Sequence, residues 1–130
     1  MAGIPFGDDA NYVCYPDGIP SEWRTKIGNT VSGLRQRARF RGEGKAAKET
    51  ELATLIKMQE FKCGVSDVIL KPDKTTQLGH IVPGSRGGKH DVSNLLWITK
   101  EMNRMMGQLS VDEFVSLCNQ VAACKTRKYG

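Results

Sequence analysis

The chain has 130 residues, 39% of them hydrophobic and 25% charged, with a formal net charge of +5. That length supports one modest core and not two, and no apolar run nears the roughly 18 residues of a membrane span. The opening MAGIPFGDDANYVC lacks the basic and then apolar regions of a signal peptide, so the expected setting is cytoplasmic and membrane-free.

Residues 1–22 contain Gly3, Pro5, Gly7, Pro16, Gly18 and Pro20 and read as irregular. The next stretch, SEWRTKIGNTVSGLRQRARFRGEGK, mixes a weak helical pattern with four glycines. Arg35, Arg37, Arg39 and Arg41 fall close together there, and on a helix they would spread around its axis. Residues 1–48 are therefore predicted to form a basic N-terminal arm, partly irregular. Such a run either follows a phosphate backbone or is simply solvated.

In ETELATLIKMQEFK, residues 49–62, Leu52, Leu55, Ile56 and Phe61 approach the i, i+3, i+4 spacing of a helix, which Gly64 stops. DVILKPDKTTQLGHIVP then reads as two strand-like runs joined by a hairpin-style turn at Pro72 and Asp73. NLLWITKEMNRMMG begins as a strand and turns helical after Thr99. Ser110 with Glu113 three residues later is a capping box, opening a last helix with Phe114, Leu117, Cys118 and Val121 on one face. The four cysteines, Cys14, Cys63, Cys118 and Cys124, form no C-x-x-C pair. Cys63 and Cys118 are expected as reduced core residues, alongside Trp97, Phe114 and Leu117.

Three side chains stand out in this strand, loop, strand, helix unit: His80, Asn94 and Asn103. Cutting a phosphodiester needs a base that takes a proton from water, and a neutral imidazole does this near pH 7. The imidazole must be oriented, and charge on the phosphate must be offset, for which an amide carbonyl can help hold a divalent ion. His90, in the same Gly-rich basic loop, reads as structural or solvent-facing.

The stretch GHIVPGSRGGKHDVSNLLWITKEMNRMMG resembles the HNH endonuclease motif, in the variant whose last histidine is Asn. The likeness lies in the HIVP start, the SRGGKHD loop, the SNL that follows it, and NRMMG on the helix. It covers residues 60–107 and extends less firmly over 108–124. It implies an α+β fold, a ββα-metal (HNH, His-Me finger) core flanked by helices, with residues 49–130 as the nuclease domain. It further implies His80 as general base, Asn94 as the central Asn that holds the loop and orients the histidine, and Asn103 as metal ligand. One divalent metal, Mg2+ or Mn2+, is implied, with DNA as partner and metal-dependent endonuclease activity as function. Arg35, Arg37, Arg39, Arg41, Arg86, Lys89 and Arg104 are the candidate nucleic-acid contacts. By analogy the chain is similar to small free-standing phage or mobile-element nucleases, acting in a bacterial host's cytoplasm.

Two departures stand out. Many members have an acid or His before the catalytic His, where this chain has Gly79. Three outcomes stay open: Asn103, phosphate and water hold the ion alone; Asp67 or Asp73 reaches in; or activity is impaired, leaving a DNA-binding protein on an HNH scaffold. The cysteine pairs that hold a structural zinc in many relatives are also absent, so a zinc-free core is expected.

Overall fold

The structure is a computed structural model that describes residues 15–42 and 45–124. Among them are four α-helices and one two-stranded antiparallel sheet, an α+β architecture. The elements are α1 (Ser21–Phe40), α2 (Glu49–Met58), β1 (Thr76–His80), β2 (Leu95–Thr99), α3 (Lys100–Met106) and α4 (Val111–Ala123). Short 3-10 turns at Gly84–Arg86 and Val92–Asn94 punctuate the loop between the strands. No described helix is long and apolar enough to cross a membrane.

Within the segment expected as an arm, Ser21–Phe40 form α1, a core helix, while residues 1–14 and 43–44 of that segment lie outside the described residues. Trp23, Ile27, Val31, Leu34 and Ala38 recur at helical spacing and are all buried. Trp23, Ile27, Val31 and Leu34 join Leu52, Ala53 and Ile56 of α2 and Leu95, Trp97 and Ile98 of β2 in one hydrophobic cluster. The core therefore crosses the boundary drawn at residue 48. Glycines within α1 weaken its intrinsic helicity by about 1 kcal/mol each, which is why the local pattern looked weak. Burial of its apolar stripe outweighs that cost.

Trp97 sits at the centre, fully buried, with Nε1 donating to the Leu52 carbonyl at 3.0 Å. Its ring meets Trp23 edge-on, centroids 6.0 Å apart. Gln59 acts as a substitute strand for β2: its Oε1 accepts from the Trp97 N–H at 2.9 Å, and its Nε2 donates to the Trp97 carbonyl at 2.8 Å. Cys63 is buried here as expected.

The expected hairpin at Pro72 does not form. The run at 67–71 turns back on residues 61–63 instead, with Leu70 N donating to Phe61 O at 2.8 Å and Cys63 N to Val68 O at 2.7 Å. β1 pairs with β2, in a register that sets Thr76 opposite Thr99, Gly79 opposite Leu96 and His80 opposite Leu95. Pro72 has no N–H to give a ladder, and Asp73 accepts from the Thr75 N–H at 2.8 Å, closing a local turn.

Thr99 caps α3, accepting from Met102 N at 3.0 Å. The capping box of α4 is present: Ser110 Oγ accepts from Glu113 N at 3.2 Å and Glu113 Oε1 from Ser110 N at 2.9 Å. Only the first turns of α4 reach the core, through buried Phe114. Leu117 and Cys118 are exposed, which corrects their expected burial, and Val121 on the same face is exposed as well.

Candidate functional site

Two strands leave β1 with one unpaired edge, and an open groove of about 460 Å3 runs along it. Thr76, Gln77, Leu78 and His80 of β1 line it, with Asn103 of α3 on one side. The other wall is α1, which contributes Lys26, Asn29, Thr30, Gly33 and Arg37. The fold thus brings His80 and Asn103, far apart in the chain, into one groove.

His80 closes β1, and the loop behind it is tied down at several points. The Ile81 N–H donates to the Asn94 carbonyl at 2.8 Å, and the Ile81 carbonyl accepts from Val111 N at 3.0 Å. Asn94 Oδ1 accepts from Val82 N at 2.8 Å, while its Nδ2 donates to the carbonyls of Val82 at 3.0 Å and Lys89 at 2.9 Å. Asn94 therefore ties down the loop that follows His80 through that loop's backbone. Gly88 is part of the same closure: a Cβ there would stand 1.8 Å from the Val82 carbonyl oxygen.

His90 is buried, not solvent-facing. Its ring packs edge-on against His80, centroids 4.9 Å apart at 89°, so it backs the candidate base within the fold. The main-chain carbonyl of His90 accepts from Ala47 N at 2.8 Å, tying the loop to the segment before α2.

On the far side of the strand edge, Asn103 Nδ2 donates to Gln77 Oε1 at 2.7 Å. Gln77 and Gly79 share a face of β1 by strand alternation. An ideal Cβ at Gly79 would stand 3.8 Å from Asn103 Oδ1 but only 2.3 Å from Ile98 Cδ1. Gly79 thus leaves space that Ile98 fills.

The candidate cations do not share one surface. Arg37 lines the His80 groove. Arg35 and Arg39, a helical turn apart, line a separate hollow with Lys45, Lys48, Glu51 and Asp91. Arg41 Nη2 donates to the Gly84 carbonyl at 2.5 Å, and Arg86 pairs with Glu113. That pairing holds the Glu113 carboxyl down at about 2, with the Ser110 N–H adding to the effect. Lys89 is exposed, and Arg104 lines a hollow with Lys71 and Asp73. Lys26 and Gln77 were not singled out from the sequence. Gln77 was legible as the same-face neighbour of Gly79, and Lys26 as a helical neighbour of Arg37 once 21–40 is seen as a helix.

The divalent ion implied by the resemblance can be tested against this donor set. The groove offers three side-chain amides, of which Gln77 and Asn103 are bonded to one another, with an imidazole and two threonines, beside two cations. No carboxylate lines it, and among the described residues no group of three or more His, Cys, Asp or Glu could hold a metal. Asp73 is occupied by Thr75, and neither it nor Asp67 lines the groove. Hard divalent ions are bound through carboxylates with waters and phosphate oxygens. The residues present do not fit a resident divalent ion.

No known protein-family model matches the chain, and no curated protein matches it.

Proposed function

We propose that the chain is an HNH-type endonuclease that hydrolyses DNA phosphodiesters, with β1, the stapled loop, β2 and α3 as its ββα core. The observation that carries this reading is that His80 and Asn103 line one groove while Asn94 staples the loop leading from His80. In this reading the His80 imidazole accepts a proton from water as the water oxygen bonds to phosphorus. The phosphorus–oxygen bond to the leaving sugar oxygen breaks, and that oxygen takes a proton from solvent. Asn94 keeps the loop closed so that the imidazole has one place to be.

The test is plasmid nicking with Mg2+, with Mn2+ and with EDTA, comparing wild type with His80→Ala. Nicking by wild type and a loss of at least about a hundredfold in His80→Ala support the reading, in line with the usual worth of a general base. Equal nicking by the two, or none by wild type under any condition, removes it. The three metal conditions decide separately whether the ion requirement implied by the resemblance holds.

A second reading has its own observation. A groove lined by cations and no carboxylate suits phosphate binding without turnover. That reading predicts salt-sensitive DNA binding with no nicking in any of the three conditions.

A further inference from the structure

We infer that α1 is a strand-binding wall whose ligand is single-stranded nucleic acid. This deepens the nuclease reading and rests on it for the reaction at His80. The carrying observation is a second stripe on α1. Lys26, Thr30, Gly33, Arg37 and Phe40 recur at intervals of three and four residues, so they share one face, roughly a quarter turn from the core stripe. Lys26 through Arg37 line the His80 groove. Gly33, Arg37 and Phe40 line the hollow that adjoins it. The stripe is therefore one track, about 20 Å long at the helical rise.

Each part of the track has a use for a polynucleotide. Lys26 and Arg37 stand about 16 Å apart along the axis, too far to hold one phosphate, so they hold two along the groove that His80 also lines. Gly33 between them leaves room for the backbone to pass; a Cβ there would meet only Arg37 Nη1, at 3.4 Å. Burial lowers the pKa of the Lys26 amine, and Asp73 nearby opposes the shift. A cation partly stripped of water attracts phosphate more strongly than a solvated one.

Phe40 decides between single strand and duplex. It is 93% exposed, the most exposed large hydrophobic residue among those described, and it follows Arg37 by one turn. Phenylalanine on an open surface offers a ring face on which any unpaired base can stack, whereas a duplex keeps its base faces hidden. Phosphate contacts along a cationic track, ending in an aromatic ring, are the two elements of sequence-tolerant single-strand binding.

The experiment is fluorescence anisotropy on the full chain in EDTA, with labelled oligodeoxythymidylate and a labelled hairpin duplex as probes, over a salt series. Single strand should bind more tightly than duplex. Phe40→Ala should weaken single-strand binding about tenfold without changing the salt slope. Lys26→Gln and Arg37→Gln should each flatten the slope of log K against log salt by about 0.7. Lys26→Arg should keep the wild-type slope, separating lost charge from lost folding. Duplex bound as tightly as single strand, Phe40→Ala binding like wild type, or unchanged slopes in both glutamine variants would overturn the inference. These readouts need no cleavage, so a chain that fails to nick plasmid refutes the nuclease reading and leaves this one to stand or fall on binding.

Discussion

Asn94 grips Val82 from both sides: its Oδ1 accepts the Val82 N–H at 2.8 Å and its Nδ2 donates to the Val82 carbonyl at 3.0 Å. One side chain thereby plays the part of a paired strand for a loop residue that has none. Asn94→Ala would leave the Val82 N–H and the carbonyls of Val82 and Lys89 without this partner, and the expected loss is about 2–3 kcal/mol in urea unfolding. Asn94→Asp should be no better, because a carboxylate would face the carbonyls of Val82 and Lys89. Hydrogen exchange in both variants should rise across residues 81–89 before it rises in β2. Uniform exchange across the two segments would refute the stapling role.

Gly88 and its neighbour give a contrast that needs no activity assay. A Cβ at Gly88 would stand 1.8 Å from the Val82 carbonyl oxygen and 2.8 Å from Asn94 Nδ2, so Gly88→Ala must open the loop. Gly87 has φ of 91° but open space around it. Gly87→Ala should therefore cost only about 1–2 kcal/mol of backbone strain. Thermal melts should rank Gly88→Ala well below Gly87→Ala; the reverse order would contradict the packing.

Arg86 and Glu113 couple the loop to α4, and this makes part of the stability acid-sensitive. Glu113 in the folded chain titrates near about 2, held down first by the Arg86 side chain, against about 4.3 when unfolded. A depressed carboxylate contributes its stability above the unfolded value, and that contribution fades as pH falls through about 4 toward about 2. Chemical unfolding between pH 5 and pH 2 should show a steeper loss for wild type than for Glu113→Gln. Parallel curves would mean that the pair is fully screened.

Gly79 offers a way to build the missing acid. Gly79→Asp alone must push aside Ile98 Cδ1, which would stand 2.3 Å from the new Cβ. Ile98→Val removes that methyl, at a usual cost of about 0.5–1.5 kcal/mol. The double variant Gly79→Asp with Ile98→Val should bind Mn2+ in calorimetry where wild type gives little heat, because it adds a carboxylate near Asn103 Oδ1. Equal heats for the two proteins would show that the groove cannot host an ion even with an acid supplied.

The sequence alone carried the local elements whose signals are self-contained. The α4 capping box is written in Ser110 and Glu113, the α2 helix in its apolar spacing, and the β2-to-α3 switch in NLLWIT followed by helix formers. It also singled out His80 and Asn103 before any geometry placed them in one groove. Tertiary structure decided what depends on partners distant in the chain. Residues 21–40 are a core helix because β2 and α2 bury its apolar stripe, an energy that no window of α1 contains. The run at 67–71 pairs with 61–63 because Gln59 and Gly64 already hold the edge of β2 at Trp97. Arg41 and Arg86 are drawn to Gly84 and Glu113, while Lys26 and Arg37 are left to line the groove, and proximity between elements sets that division. Composition can count the charges, but only the fold determines which of them face His80.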